Sequence, residues 1–285
     1  MPAFYDVHEH FHFDALVPHR AAIDADLRAA GVHRAVVNGT SEEEWPVVAA
    51  LAKQYSWILP SYGVHPWDAG DRSPGWLAAL RAQLEADPHA VIGEIGLDRW
   101  IIVGIKPGDP RLAGMRVAPM EEQEEVLAAQ LALGAELNRA AAIHCVQAFG
   151  ALLEVLRRSR LPARGFLLHG YTGPAEMIPA FTELGAYYSF NIQLREPAHA
   201  ARLENFRTIP ADRLLVETDA PVKAPPPELN RFPLGVGLDG STVNHPANIV
   251  VAYEALAELR RISLEELAAQ VEINFGRLFG QTPRS

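Results

Sequence analysis

The chain has 285 residues, 49% of them hydrophobic, enough for one large domain or two modest ones; a single domain over 1–285 is expected. Its formal net charge of −10 disfavours non-specific capture of nucleic acid over the whole surface. One cysteine, Cys145, excludes an internal disulfide, and no run of roughly 18 apolar residues is present to span a membrane. The opening "MPAFYDV" lacks the basic and apolar segments of a secretory leader, so a cytoplasmic protein is expected.

Short apolar runs bounded by Gly, Pro or Asn alternate with longer helical patterns. In chain order, strands at 3–8, 34–38, 58–62 and 90–94 lead into helices near 19–30, 41–55, 73–86 and 118–138. Strands at 140–144, 165–169, 186–190 and 213–217 lead into helices near 147–158, 174–184, 196–206 and 246–260, and a last helix covers 263–276. Ser41 with Glu44 forms a capping-box pattern, and Pro119 opens a helix whose first turns carry glutamates suited to its dipole. Two long connections, 98–119 and 220–246, stand out, since structureless loops of this length are uncommon unless functional or disordered.

Strands that each precede a helix predict parallel pairing with right-handed crossovers. The fold class is α/β, and the economical closure is a (β/α)8 TIM barrel. An open doubly wound sheet is the alternative.

His8 and His10 end the first strand two residues apart, on one face. Glu94 ends the fourth strand, His144 the fifth and His169 the sixth, and Asp219 follows the eighth. Side chains at the C-terminal strand ends of such a barrel converge on one mouth. Imidazole and carboxylate suit zinc or manganese, and carboxylates also suit magnesium. So many donors exceed what one ion needs, which predicts two divalent ions sharing a carboxylate. His65, near the third strand end, is placed to bond a substrate oxygen. Arg99, Lys106, Arg111 and Arg116 in 98–119, and Arg195 after the seventh strand, are candidate phosphate contacts. Trp67, Trp100 and Tyr171 could stack a base or pack beneath the loops.

His12 falls beyond the strand and is expected at the rim. His19, His33, His89 and His199 are expected to face solvent. Cys145 should point away from His144, as an inert buried thiol. "GVGLDG" at 235–240 matches a dinucleotide fingerprint in letters only, with no strand before it and no helix after it.

The segments "DVHEH" (6–10), "GVHPW" (63–67), "IGEIGLD" (92–98), "IHC" (143–145), "HGYTG" (169–173) and "ETDAP" (217–221) resemble TatD-type metal-dependent hydrolases, within the amidohydrolase-like barrels. The resemblance runs over nearly the whole chain. It implies a two-metal barrel and phosphodiester hydrolysis of the deoxyribonuclease or exonuclease kind. By position it implies one ion on His8, His10, Glu94 and Asp219. Glu94 would bridge to a second ion on His144 and His169, and Asp219 would act as general base. Val146 and Gln147 stand where the family carries Arg and an acid, His12 stands near its usual aspartate, and His245 replaces its glutamate. Three functions are compatible: hydrolysis of phosphodiesters at nucleic acid ends, hydrolysis of another ester or amide such as a lactone or aminoacyl ester, or a non-catalytic metal-binding relic. No membrane partner is expected.

Overall fold

The computed structural model describes residues 2–106, 108–237 and 240–280. The first half runs β1 (Phe4–Glu9), α1 (Arg20–Ala30), β2 (Val32–Gly39), α2 (Trp45–Gln54), β3 (Ile58–Tyr62), α3 (Trp76–Ala86), β4 (Val91–Asp98), α4 (Trp100–Val103) and α5 (Met120–Leu137). The second half runs β5 (Ala141–Val146), α6 (Phe149–Arg158), β6 (Phe166–Leu168), α7 (Ile178–Glu183), β7 (Ala186–Asn191), α8 (Ala200–Thr208), β8 (Leu214–Glu217), α9 (Ile249–Arg260) and α10 (Leu264–Phe279). The strands form one eight-stranded sheet in sequence order, and every adjacent pair is parallel.

The remaining seam is bridged just past β8. Asp219 N–H donates to the His8 carbonyl at 2.9 Å, and His10 N–H donates to the Ala220 carbonyl at 2.7 Å. The buried Asp6 carboxylate also accepts from the backbone N–H groups of His8 and Thr218, both at 3.1 Å. The result is a near-closed TIM barrel ringed by helices. Among the described residues no helix is long and apolar enough to cross a membrane.

Every predicted strand and helix is present; β3 keeps its predicted bounds and the others have shifted ends. β4 continues four residues past Glu94 because Gly96 to Asp98 pair with His144 to Val146 of β5. Only glycine suits position 96: its φ is +148°, and a Cβ there would lie 2.0 Å from the His144 carbonyl oxygen. That close approach sets β4 against β5. The helix expected from Ser41 begins at Trp45 instead. Glu44 reaches back to Thr40, accepting from its N–H at 2.7 Å and its hydroxyl at 2.9 Å, so the stretch before α2 is a turn. A complete capping box occurs at Ser263 and Glu266, opening α10.

The connection 98–119 is partly structured, holding α4 and a 3-10 turn at Pro110–Leu112. Residues 238 and 239 of the "GVGLDG" stretch, and Pro107 of the earlier loop, lie outside the described residues.

Two buried glutamines on α5, Gln123 and Gln130, tie loops at the mouth to the helix ring. Gln130 exchanges hydrogen bonds with the Val64 N–H and carbonyl, at 2.7 and 3.1 Å. Gln123 does the same with the backbone of Asp98, at 2.8 and 3.2 Å. Both clamps satisfy strand-end backbone that the sheet leaves free.

On the opposite flank the Tyr253 hydroxyl of α9 accepts from Tyr5 N–H at 3.0 Å and donates to the Tyr5 carbonyl at 2.9 Å. Tyr253→Phe removes both bonds inside a fully buried site. Chemical denaturation should show a loss of about 1–3 kcal/mol, and an unchanged midpoint would show that this pin contributes nothing.

Candidate functional site

Glu94 projects from mid-β4 into the mouth and is 3% exposed. Five imidazoles surround its carboxylate. Oε2 lies 3.3 Å from His8 Nε2 and 3.4 Å from His10 Nε2. Oε1 lies 2.9 Å from both His144 Nδ1 and His169 Nε2, and 3.5 Å from His65 Nε2. Asp219 completes the ring, with Oδ1 3.8 Å from His8 Nε2 and 3.6 Å from His10 Nε2. Its backbone sits at φ +55°, in the left-handed region where a non-glycine residue is strained, as is common at working sites. The predicted residues His8, His10, His65, Glu94, His144, His169 and Asp219 thus gather at one place.

Their donors form groups with ligand atoms within 4.8 Å of one another: His8, His10 and Asp219; His8, Glu94 and His169; His65, Glu94 and His144; and His169, Glu217 and Asp219. Two features of the donors fit divalent cations. His8 Nε2 is buried, faces the centre and has no hydrogen-bond partner. His144 Nδ1 and His169 Nε2 lie 3.1 Å apart and point at the same oxygen, so their lone pairs converge.

The outer ring nitrogens decide which atoms are free to coordinate. His10 Nδ1 lies 2.9 Å from the Asn38 carbonyl and donates to it, leaving Nε2 a lone pair. His8 Nδ1 faces the Asn38 amide at 3.2 Å. The amide oxygen is itself unpartnered, and turning the amide over would let it accept a His8 Nδ1 proton at the expense of the 3.3 Å bond that Nδ2 donates to the Val36 carbonyl. His144 Nε2 faces Asp98 Oδ2 at 3.4 Å, and His169 Nδ1 faces Glu217 Oε1 at 3.7 Å. His65 differs: the Trp67 backbone N–H donates to its Nδ1 at 3.2 Å, which places the ring proton on the inward Nε2. His65 therefore presents a donor rather than a lone pair.

Burial works against every charge here. Even so, the His8, His169 and His65 rings hold the Glu94 carboxyl well below its usual range. For His169, burial is outweighed by Glu94 and Glu217, which push it well above its usual value.

The expected arginines do not join the centre. Arg99 is exposed, and Arg195 pairs with Glu258 at 3.3 Å. Arg111 is taken up by Asp109 at 2.7 Å and Arg116 by Glu122 at 2.7 Å. Tyr171 is buried, its hydroxyl donating to the Pro174 carbonyl at 2.8 Å, so it offers no stacking face. Trp67 and Trp100 stack on each other at 6.2 Å.

His12 is not on an open rim but buried, with Nε2 3.0 Å from Glu44 Oε2. Phe11 and Phe13 flank it in the sequence, and the Phe13 ring stacks on His10 at 4.7 Å. His33 and His89 are exposed and His19 and His199 half-buried. Cys145 is buried, and burial pushes its thiol up, as expected of an inert side chain. His245 caps the turn before α9, accepting from Ala247 N–H at 2.9 Å, and faces Asp26.

Asn38, Asp98 and Glu217 are the residues that sequence reasoning did not assign to the site. Asp98 and Glu217 lie inside the quoted segments "IGEIGLD" and "ETDAP", which was the one available signal. Glu9 is also wholly buried, with neither oxygen partnered, and burial raises its carboxyl well above the usual range.

Fold and site together define a metal-dependent hydrolase barrel of the amidohydrolase-like type. The chain belongs to the TatD related DNase family, whose model matches residues 5–280. It is 32% identical over 258 residues to the 3'-5' ssDNA/RNA exonuclease TatD of Klebsiella pneumoniae (strain 342), covering 90% of each chain. It is 27% identical over 276 residues to the "Uncharacterized metal-dependent hydrolase YabD" of Bacillus subtilis (strain 168), covering 96% of this chain and 98% of the relative. The crystal structure of YjjV, a TatD homolog from Escherichia coli K12, superposes with a TM-score of 0.82 at 28% identity, covering 98% of both chains.

A cation that binds only the folded centre must stabilise the fold. Manganese or zinc at about 100 times its dissociation constant should add about 2.7 kcal/mol. Thermal melts with and without chelator check this. A chelator-stripped protein whose melting temperature ignores added ions would contradict the fit.

Proposed function

We propose that the protein hydrolyses phosphodiester bonds at nucleic acid ends, using two divalent ions held by this centre. One observation carries the reading: donors on both sides of a single buried carboxylate, with Asp219 and a proton-bearing His65 beside them. The first ion would be held by His8, His10, Glu94 and Asp219. The second would be held by His144, His169 and the other oxygen of Glu94.

When bound, divalent ions of this kind lower the pKa of water toward neutrality and offset charge growing on the scissile group. The chain's own residues supply the rest. Asp219 orients the attacking water and accepts its proton. His65 Nε2–H donates to a substrate oxygen as negative charge develops there. Glu94, held from five sides, fixes the separation of the two halves. The exonuclease named above, at 32% identity, supports the choice of substrate class.

A second reading has its own support. The arginines expected to meet phosphates are mostly neutralised: Arg111 by Asp109, Arg116 by Glu122 and Arg195 by Glu258. Val146 and Gln147 also leave no cation after β5. These features favour a less charged ester or amide, such as a lactone or an aminoacyl ester.

A panel of bis-p-nitrophenyl phosphate, single-stranded DNA and a simple lactone, with manganese, separates the readings. Turnover of the phosphodiesters with loss of nucleotides from a strand end is expected. Activity on the lactone alone would overturn the nuclease reading. Glu94→Ala should lose both ions and all turnover. Asp219→Asn should lower kcat by about 10²–10⁴ while the second ion stays bound; near-normal kcat would remove Asp219 as the base.

A further inference from the structure

The imidazoles of the centre are backed by different chemistry on its two sides. His8 and His10 rest on neutral groups, the Asn38 amide at 3.2 Å and the Asn38 carbonyl at 2.9 Å. His144 and His169 rest on carboxylates, Asp98 at 3.4 Å and Glu217 at 3.7 Å. We infer that Asp98 and Glu217 are positioning residues that act chiefly on the second ion, through His144 and His169, although a Glu217 oxygen also lies within 4.8 Å of the Asp219 carboxylate that would serve the first. This rests on the two-ion reading above and adds to it how the two positions differ.

Both carboxylates are built in. Asp98 is 2% exposed, and its side chain is fixed by the Trp67 indole N–H at 2.7 Å and the Ile101 backbone N–H at 3.2 Å. Glu217 is fully buried. Its Oε2 accepts from the Ser189 hydroxyl and from Gly170 N–H, the latter at 3.1 Å. Asn191 Nδ2 approaches Oε1 at 3.5 Å. Neither carboxylate is free to swing, and each has one oxygen facing the outer nitrogen of its imidazole.

An anion behind an imidazole fixes the outer proton and makes the inner nitrogen a better donor. A neutral amide or carbonyl fixes the proton but adds no charge. Asp98 lies within hydrogen-bond reach of His144, and Glu217 faces the otherwise unpartnered His169 Nδ1 across 3.7 Å, while the inner nitrogens of both rings lie 2.9 Å from the same oxygen of Glu94, Oε1. They also place two further negative charges behind that half of the centre.

The Asp98 anchor connects this half to the 98–119 loop. Trp67 stacks on Trp100, the first residue of α4, and the Arg111 guanidinium covers Trp100 at 5.1 Å. The indole N–H of Trp67 is therefore a second handle on the same ion, remote from its ligands.

Equilibrium dialysis against graded free manganese, with bound metal counted by mass spectrometry, should resolve two binding steps in the wild type. Asp98→Asn and Glu217→Gln should each move one step, and the same step, to about 10–100-fold higher free manganese. Trp67→Phe, which keeps the ring and loses the N–H, should move that step by less. Asp219→Asn should move the other step. Visible absorption of the cobalt-loaded protein gives an independent readout: Glu217→Gln should keep the wild-type band intensity, whereas loss of a direct ligand would change it. Circular dichroism of the metal-free variants checks that the barrel is intact, and Trp67→Phe serves if a carboxylate variant does not fold. Two wild-type ions with both steps unmoved in the variants, or moved together, would overturn this inference alone. A wild type that never takes a second ion overturns the two-ion reading and this inference with it.

Discussion

One buried carboxylate governs the architecture of this protein. Five imidazole nitrogens lie within 3.5 Å of Glu94. Glu94 is 3% exposed, and a buried charge is tolerated only when paired. Five imidazolium rings packed around one carboxylate would repel one another strongly. On the two-ion reading proposed above, lone pairs directed at cations would resolve that conflict, because a cation would supply the positive charge that otherwise falls to protons on the rings.

The barrel exists to deliver those side chains to one point. β1, β4, β5 and β6 each bring donors to the same mouth, and the turn after β8 brings Asp219. Small local devices set the spacing. Gly96 lets β4 run against the His144 carbonyl. Gln130 and Gln123 clamp the backbones of Val64 and Asp98. The bonds from Asp219 and His10 across the seam fix β1 to the β8 turn. Each holds main chain rather than an imidazole, so the rings at the mouth keep their inward nitrogens unengaged by these devices.

Much of this was legible in the residues. Period-two spacing put His8 and His10 on one face, and apolar runs leading into His, Glu or Asp located the strands, though β4 runs four residues past Glu94. Alternating strands and helices gave the barrel. What stayed hidden depended on tertiary contact. Asn38 looks like any strand-end asparagine until it meets two histidines 28 and 30 residues away. Asp98 reads as a loop residue because glycine-rich "GEIG" masks the continuation of β4. His12 reads as a rim residue because nothing local announces its pairing with Glu44. The arginines of 98–119 read as free cations, but their neutralisation by Asp109 and Glu122 depends on side-chain geometry.

The most direct measurement is anomalous diffraction from a crystal grown with manganese or zinc. Two peaks are expected at the barrel mouth, one on each side of the Glu94 carboxylate, one beside His8 and His10 and the other beside His144 and His169. A single peak, or metal bound elsewhere with these rings empty, would contradict the two-ion centre.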